Sequence, residues 1–131
     1  MFEGYLNEID SLDEQIPLFD GSNLTDDELE MLLTTWRAYD GFEWTRSGEW
    51  IELYSYLTYW LDDTLYCMKK GFETTDLAAL LKRLEEDKTF APKKVVLFGY
   101  NFDSKHLREI KEAFAQFKNK KSIEIDCEVR Y

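Results

Sequence analysis

Residues 93–100 read KKVVLFGY, and that run limits the folds open to this chain more than any other. From Val95 to Phe98 no position is polar. A strand with one wet face alternates apolar and polar residues; an unbroken apolar run is the pattern of a strand covered on both sides. Helical stripes flank the run. Before it, Leu77, Leu80, Leu81 and Leu84 recur at helical spacing behind a cap at Thr74 or Thr75, and Pro92 closes the region. After it, Asp103 or Ser104 caps a helix striped by Leu107, Ile110, Phe114 and Phe117. SIEIDCEVRY follows, with Ile123, Ile125, Cys127, Val129 and Tyr131 alternating against Glu124, Asp126, Glu128 and Arg130. That is a half-exposed strand. Residues 64–131 therefore read strand–helix–strand–helix–strand, and helical crossovers imply parallel strands joined right-handedly.

The front half differs. Thr25 and Glu28 form a capping box, Leu24 and Leu29 a hydrophobic staple, and Leu29, Leu32, Leu33 and Trp36 one helical face. Asp40-Gly41 ends that helix. FEWTR, EWIELYSYLTYW and TLYCM are then rich in aromatic and β-favouring residues, broken by SG at 47–48 and DD at 62–63, and KKG at 69–71 is the next turn. They read as an antiparallel hairpin or meander. The expected fold is α/β: a mixed sheet of about five strands, antiparallel in its N-terminal part, with a parallel β-α-β-α-β C-terminal half. One domain is expected over 1–131, with 1–23 an acidic, partly ordered lead-in and 24–131 the core.

Composition narrows the function classes. The net charge is −11, and it is uneven: −14 over residues 1–63 and +3 over 64–131. The acidic half repels phosphate backbones at long range. No apolar run approaches ~18 residues, so no membrane span is expected. MFEGYLNEID lacks a basic start followed by an apolar stretch, so no export signal is expected either. The chain is expected in the cytoplasm with Cys67 and Cys127 as free thiols.

No constellation for catalysis is evident. Gly99 falls at the carboxyl end of the buried strand, an edge ligands favour in open α/β sheets. Yet GYN is one glycine in a turn, without G-x-G-x-x-G or GK[ST], and Asn101 would serve there by tolerating an unusual φ. His106 is the only histidine and is expected to face solvent; the two cysteines read as small buried hydrophobes. No metal or other cofactor is expected. The candidates that remain are for partner binding. Trp44, Trp50 and Tyr54 lie in an aromatic stretch whose neighbours are acidic, which disfavours stacking on nucleic acid and favours core packing or a protein interface. Lys93 and Lys94, with Lys120 and Lys121, precede two parallel strands and would share the sheet's amino-terminal edge with Lys88 and Lys118. Such a pole either meets an acidic partner or phosphate, or answers the negative ends of two helices.

Taken in order, LLTTWRAYDGF (32–42), YSYLTYWLDDTLYCMKKGF (54–72), DLAALLKRLEE (76–86) and KKVVLFGYNFDSKHLREIKEAFAQF (93–117) resemble the C-terminal region of adenine-specific DNA methyltransferases. The type is the Mod subunit of type III restriction–modification systems, over about residues 24–131. In that family methyl transfer uses an F-x-G-x-G loop and a D-P-P-Y motif. This sequence has neither, and its only prolines are Pro17 and Pro92. The resemblance thus implies a non-catalytic part that assists assembly with a methyltransferase core or restriction subunit, or positions the enzyme on DNA. Two other classes stand beside it: an acidic DNA-mimic inhibitor or immunity-type protein, suggested by the −14 half, and a small enzyme at the Gly99–Ser104 edge.

Overall fold

The computed structural model describes residues 24–43 and 45–131. The lead-in over 1–23 and Trp44 lie outside them. Helix α1 (Asp26–Tyr39) is followed by β1 (Glu49–Glu52), β2 (Leu57–Leu61), β3 (Thr64–Cys67), α2 (Thr74–Glu86), β4 (Lys94–Phe98), a 3-10 turn at Gly99–Asn101, α3 (Ser104–Lys121) and β5 (Asp126–Arg130). The strands form one sheet in the order β1-β2-β3-β4-β5. The β1–β2 and β2–β3 pairs are antiparallel; β3–β4 and β4–β5 are parallel. The expected mixed sheet is present.

Both crossovers step the same way across the sheet, so equal handedness must put α2 and α3 on one face. They do lie together: Leu77, Leu80 and Leu84 of α2 and Ile110, Phe114 and Phe117 of α3 bury against Leu65, Cys67, Val95 and Leu97. Helix α1 takes the opposite face, where Leu29, Leu33 and Trp36 meet Tyr59, Tyr66, Val96 and Phe98. Strand β4 thus has both sides covered, as its composition requires.

Local signals mostly hold. Thr25 and Glu28 make the reciprocal capping box, and Gly41 adopts φ +91° just past α1. Three details differ. EWIELYSYLTYW contains two strands, because a break at 53–56 splits β1 from β2, and no strand forms among the described residues of FEWTR. Helix α2 is capped at Glu73, not at a threonine. Thr74 is its first residue and donates instead to Glu109 Oε1 at 2.9 Å. Strand β5 begins only at Asp126, so Ile123 and Ile125 pack before the ladder starts.

Asp76 explains two of these. Its side chain is fully buried in the first turn of α2. One carboxylate oxygen accepts the backbone N–H groups of Ser55 (2.7 Å) and Tyr56 (3.1 Å); the other accepts that of Glu73 (3.0 Å). A buried acceptor satisfied by three donors both closes the 53–56 break and starts the helix at Glu73. Replacing Asp76 by Ala strands those donors, so a loss of about 3 kcal/mol is expected. Urea denaturation should show a lower midpoint at an unchanged slope; an unaltered midpoint would contradict this role.

Candidate functional site

The carboxyl edge of the parallel strands is the conventional place for a ligand in an α/β sheet. Here the loops after β3 and β4 are tied together, since Asn101 Nδ2 donates to the Met68 carbonyl at 2.6 Å. Asn101 keeps a negative φ, so this bond is its contribution and not the unusual backbone expected of it. Gly99 serves a close approach: a Cβ there would fall 2.4 Å from the Tyr131 ring. The α3 N-terminus is already capped by a carboxylate, because Asp103 accepts the N–H of His106 at 2.7 Å. His106 is partly covered, with Nδ1 2.9 Å from the same oxygen. A negative charge on those amides opposes an incoming anion. Nor does the strand order reverse among the described residues, and a reversal is what opens a binding crevice in such sheets.

Burial raises the pKa of both thiols, with Cys67 fully enclosed and Cys127 pushed up to about 11, so neither is a thiolate near neutrality. Among the described residues no group of His, Cys, Asp and Glu is placed to hold a metal ion, and no helix is long and apolar enough to cross a membrane.

A polar cluster lies elsewhere, where α1 ends over β4 and β5. Arg130 donates Nη2 to Asp40 Oδ1 at 2.7 Å and Nη1 to Oδ2 at 3.2 Å, and its Nε bonds Glu128. Its guanidinium also sits 5.2 Å from the Trp36 ring centroid and 5.5 Å from that of Tyr39. Tyr66 donates its hydroxyl to Asp40, and Lys94 Nζ stands 3.6 Å from Asp40 and 3.8 Å from Glu128. Burial alone would raise the Asp40 pKa. The Arg130 and Tyr66 hydrogen bonds, with the Arg130 and Lys94 charges, outweigh it and hold the carboxyl below its usual value. Burial and the Asp40 bond push the Tyr66 hydroxyl far up. The cluster fastens α1 to the sheet.

This changes the sequence-derived candidates. Lys94 belongs to the α1 fastening, and Lys121 pairs with Glu85 at 3.0 Å. Lys93 and Lys120 remain exposed. Of the aromatic candidates, Tyr54 is 72% exposed and Trp50 40%, while neighbouring Tyr56 and Tyr59 are core. Trp50 leans edge-on against Tyr59 at 5.0 Å, with Lys69 Nζ 5.9 Å from its ring. Leu57, 37% exposed, shares the Trp50 face, and no feature of the LTYWL run in the sequence marks it as exposed. Glu52 shares this face of β1 and Glu49 points to the other, and β1 pairs on one side only among the described residues. The structure brings Trp50 and Leu57 to the face of the sheet that carries α1, at its β1 end; the exposed lysines belong to the segments that lead into β4 and β5.

These features define a mixed α/β fold with one five-stranded sheet among the described residues. The chain belongs to the type III R-M EcoP15I C-terminal domain family, whose model matches residues 27–123. It is 43% identical over 112 residues to the type III restriction-modification enzyme EcoPI Mod subunit of Escherichia phage P1, and equally to the EcoP15I Mod subunit of Escherichia coli. Each match covers 86% of this chain and 17% of the relative. The StyLTI Mod subunit of Salmonella typhimurium is 26% identical over 95 residues, 72% of this chain and 14% of the relative. The chain thus spans under a fifth of the length of the curated relatives it matches.

The Asp40 cluster makes stability depend on pH with a definite sign. A carboxyl whose folded pKa lies below its unfolded value of roughly 3.9 adds stability that is complete above that value and fades as pH falls through the folded pKa. Asp40→Asn should cost about 3 kcal/mol near neutrality. In melts at descending pH, its deficit against the native chain should shrink below about pH 4; a deficit constant with pH would refute the assignment.

Proposed function

We propose that this domain is a non-catalytic assembly module of a type III restriction–modification Mod subunit, working in the cytoplasm. It joins a methyltransferase core or a restriction subunit through its surface, and helps hold the enzyme on DNA through those contacts. The observation that carries this reading is the match to the C-terminal domain family over residues 27–123. Exposed Trp50 and Leu57 on one face of the sheet, and exposed Tyr54 in the 53–56 break, support it, because Trp and Tyr concentrate in the centres of protein interfaces. Glu52 on the same face disfavours a direct phosphate contact there. Carboxylates on an edge strand also discourage pairing with another copy, which favours a different partner at β1.

The alternative, an acidic DNA mimic that inhibits a basic enzyme, rests on the −14 charge of residues 1–63. Family membership favours the assembly reading.

Titration calorimetry of the chain against a Mod core lacking this domain, and against the restriction subunit, tests the proposal. Binding to at least one is expected, and Tyr54→Ala or Trp50→Ala should weaken it about tenfold or more. Binding to neither would defeat the assembly reading. Binding confined to an unrelated DNA-binding enzyme, and abolished by salt, would favour the mimic.

A further inference from the structure

At the amino-terminal edge of the parallel strands, the loop after α2 and the link after α3 leave a cavity of about 310 Å³. Leu84, Phe90, Ala91, Pro92 and Ile123 line it, together with Lys88, Lys93 and Glu124. Phe90 is 1% exposed and Leu84 5%, so the lining reaches the core. Ile123 is only partly buried and Ala91 is exposed, so the cavity opens outward. The charged rim is unbalanced. Glu124 is held by Lys118 at 3.1 Å. Lys88 and Lys93 are exposed, and among the described residues no carboxylate lies within salt-bridge distance of either. The volume is at the lower limit for a cofactor site and suits one or two side chains.

An apolar hollow beneath two cations without a carboxylate partner among the described residues asks for a ligand with an apolar anchor flanked by negative charge. Duplex DNA supplies the charge without the anchor, since its bases stay stacked, and the acidic front half repels it at distance. We infer that this cavity receives an apolar side chain from an acidic segment of a partner protein. The inference rests on the assembly reading above and adds a surface separate from the Trp50 corner. Lys88 and Lys93 are the members of the predicted basic pole that it uses; Phe90 and Ile123 are the members that charge pattern alone does not reveal.

The test uses the whole chain and a fluorescein-labelled peptide, Asp-Glu-Phe-Leu-Asp-Glu, followed by anisotropy. The native chain should bind, more weakly as salt rises. The exposed double reversal Lys88→Glu/Lys93→Glu should weaken binding about tenfold or more, at unchanged melting temperature. Ala91→Trp, which fills the hollow from an exposed position, should do the same, as should replacing Phe-Leu in the peptide by Ser-Ser. Tyr54→Ala should leave peptide binding unaltered. Absent peptide binding, indifference to the lysine reversal, equal binding of the Ser-Ser peptide, or equal competition by a DNA duplex would each overturn the inference. If the native chain still binds a Mod core or restriction subunit in those cases, only this site is lost and the assembly reading stands.

Discussion

Strand β4 has no side to turn toward water. Val95 and Leu97 require cover on one face of the sheet, Val96 and Phe98 on the other, and all four are 1% exposed or less. Each such side chain contributes about 1.5–3 kcal/mol when removed from water, so an uncovered face would offset most of a small domain's stability. The rest of the architecture follows from meeting that demand with helices connected by short links. Two crossovers of one hand deliver α2 and α3 to the same side. The other side must be roofed by something that is not a crossover, and α1, arriving before the sheet begins, is that roof.

A roof that is not part of a crossover has no chain connection forcing it into place. Its position depends on the apolar stripe of Leu29, Leu33 and Trp36 and on the ionic fastening at its C-terminus. Arg130 and Lys94 gather at the negative end of the helix, where a cation is favoured, and Asp40 receives both. Asp76 performs a similar task on the opposite face by joining the β1–β2 break to α2. In both places a single carboxylate accepts several donors, which is what makes its burial tolerable.

Both faces of the sheet are occupied and the α3 N-terminus is capped by its own aspartate, so both proposed contact surfaces lie at the rims. The two rims differ chemically. The β1 corner presents aromatic and aliphatic surface beside Glu52. The amino-terminal edge presents an apolar hollow beside lysines.

Periodicity in the sequence determined the helices, the parallel half and the two-faced burial of β4, because side-chain spacing is a local property that the backbone repeat converts directly into faces. The capping box at Thr25 and the stop at Gly41 were legible for the same reason. Tertiary structure alone decided which polar residues stop being surface. Arg130 sits in an alternating pattern that reads as a wet face, yet its side chain is only 12% exposed, because α1 ends 90 positions earlier in the chain and crosses above it. Lys94 leaves the predicted basic pole by the same contact, and Asp76 looks like an ordinary first-turn helix acid until the 53–56 break folds onto it. The hollow beside Lys88 and Lys93 is likewise invisible in one dimension. It is the gap left between two links that meet only when α2 and α3 have both docked, and a gap has no residue of its own to announce it.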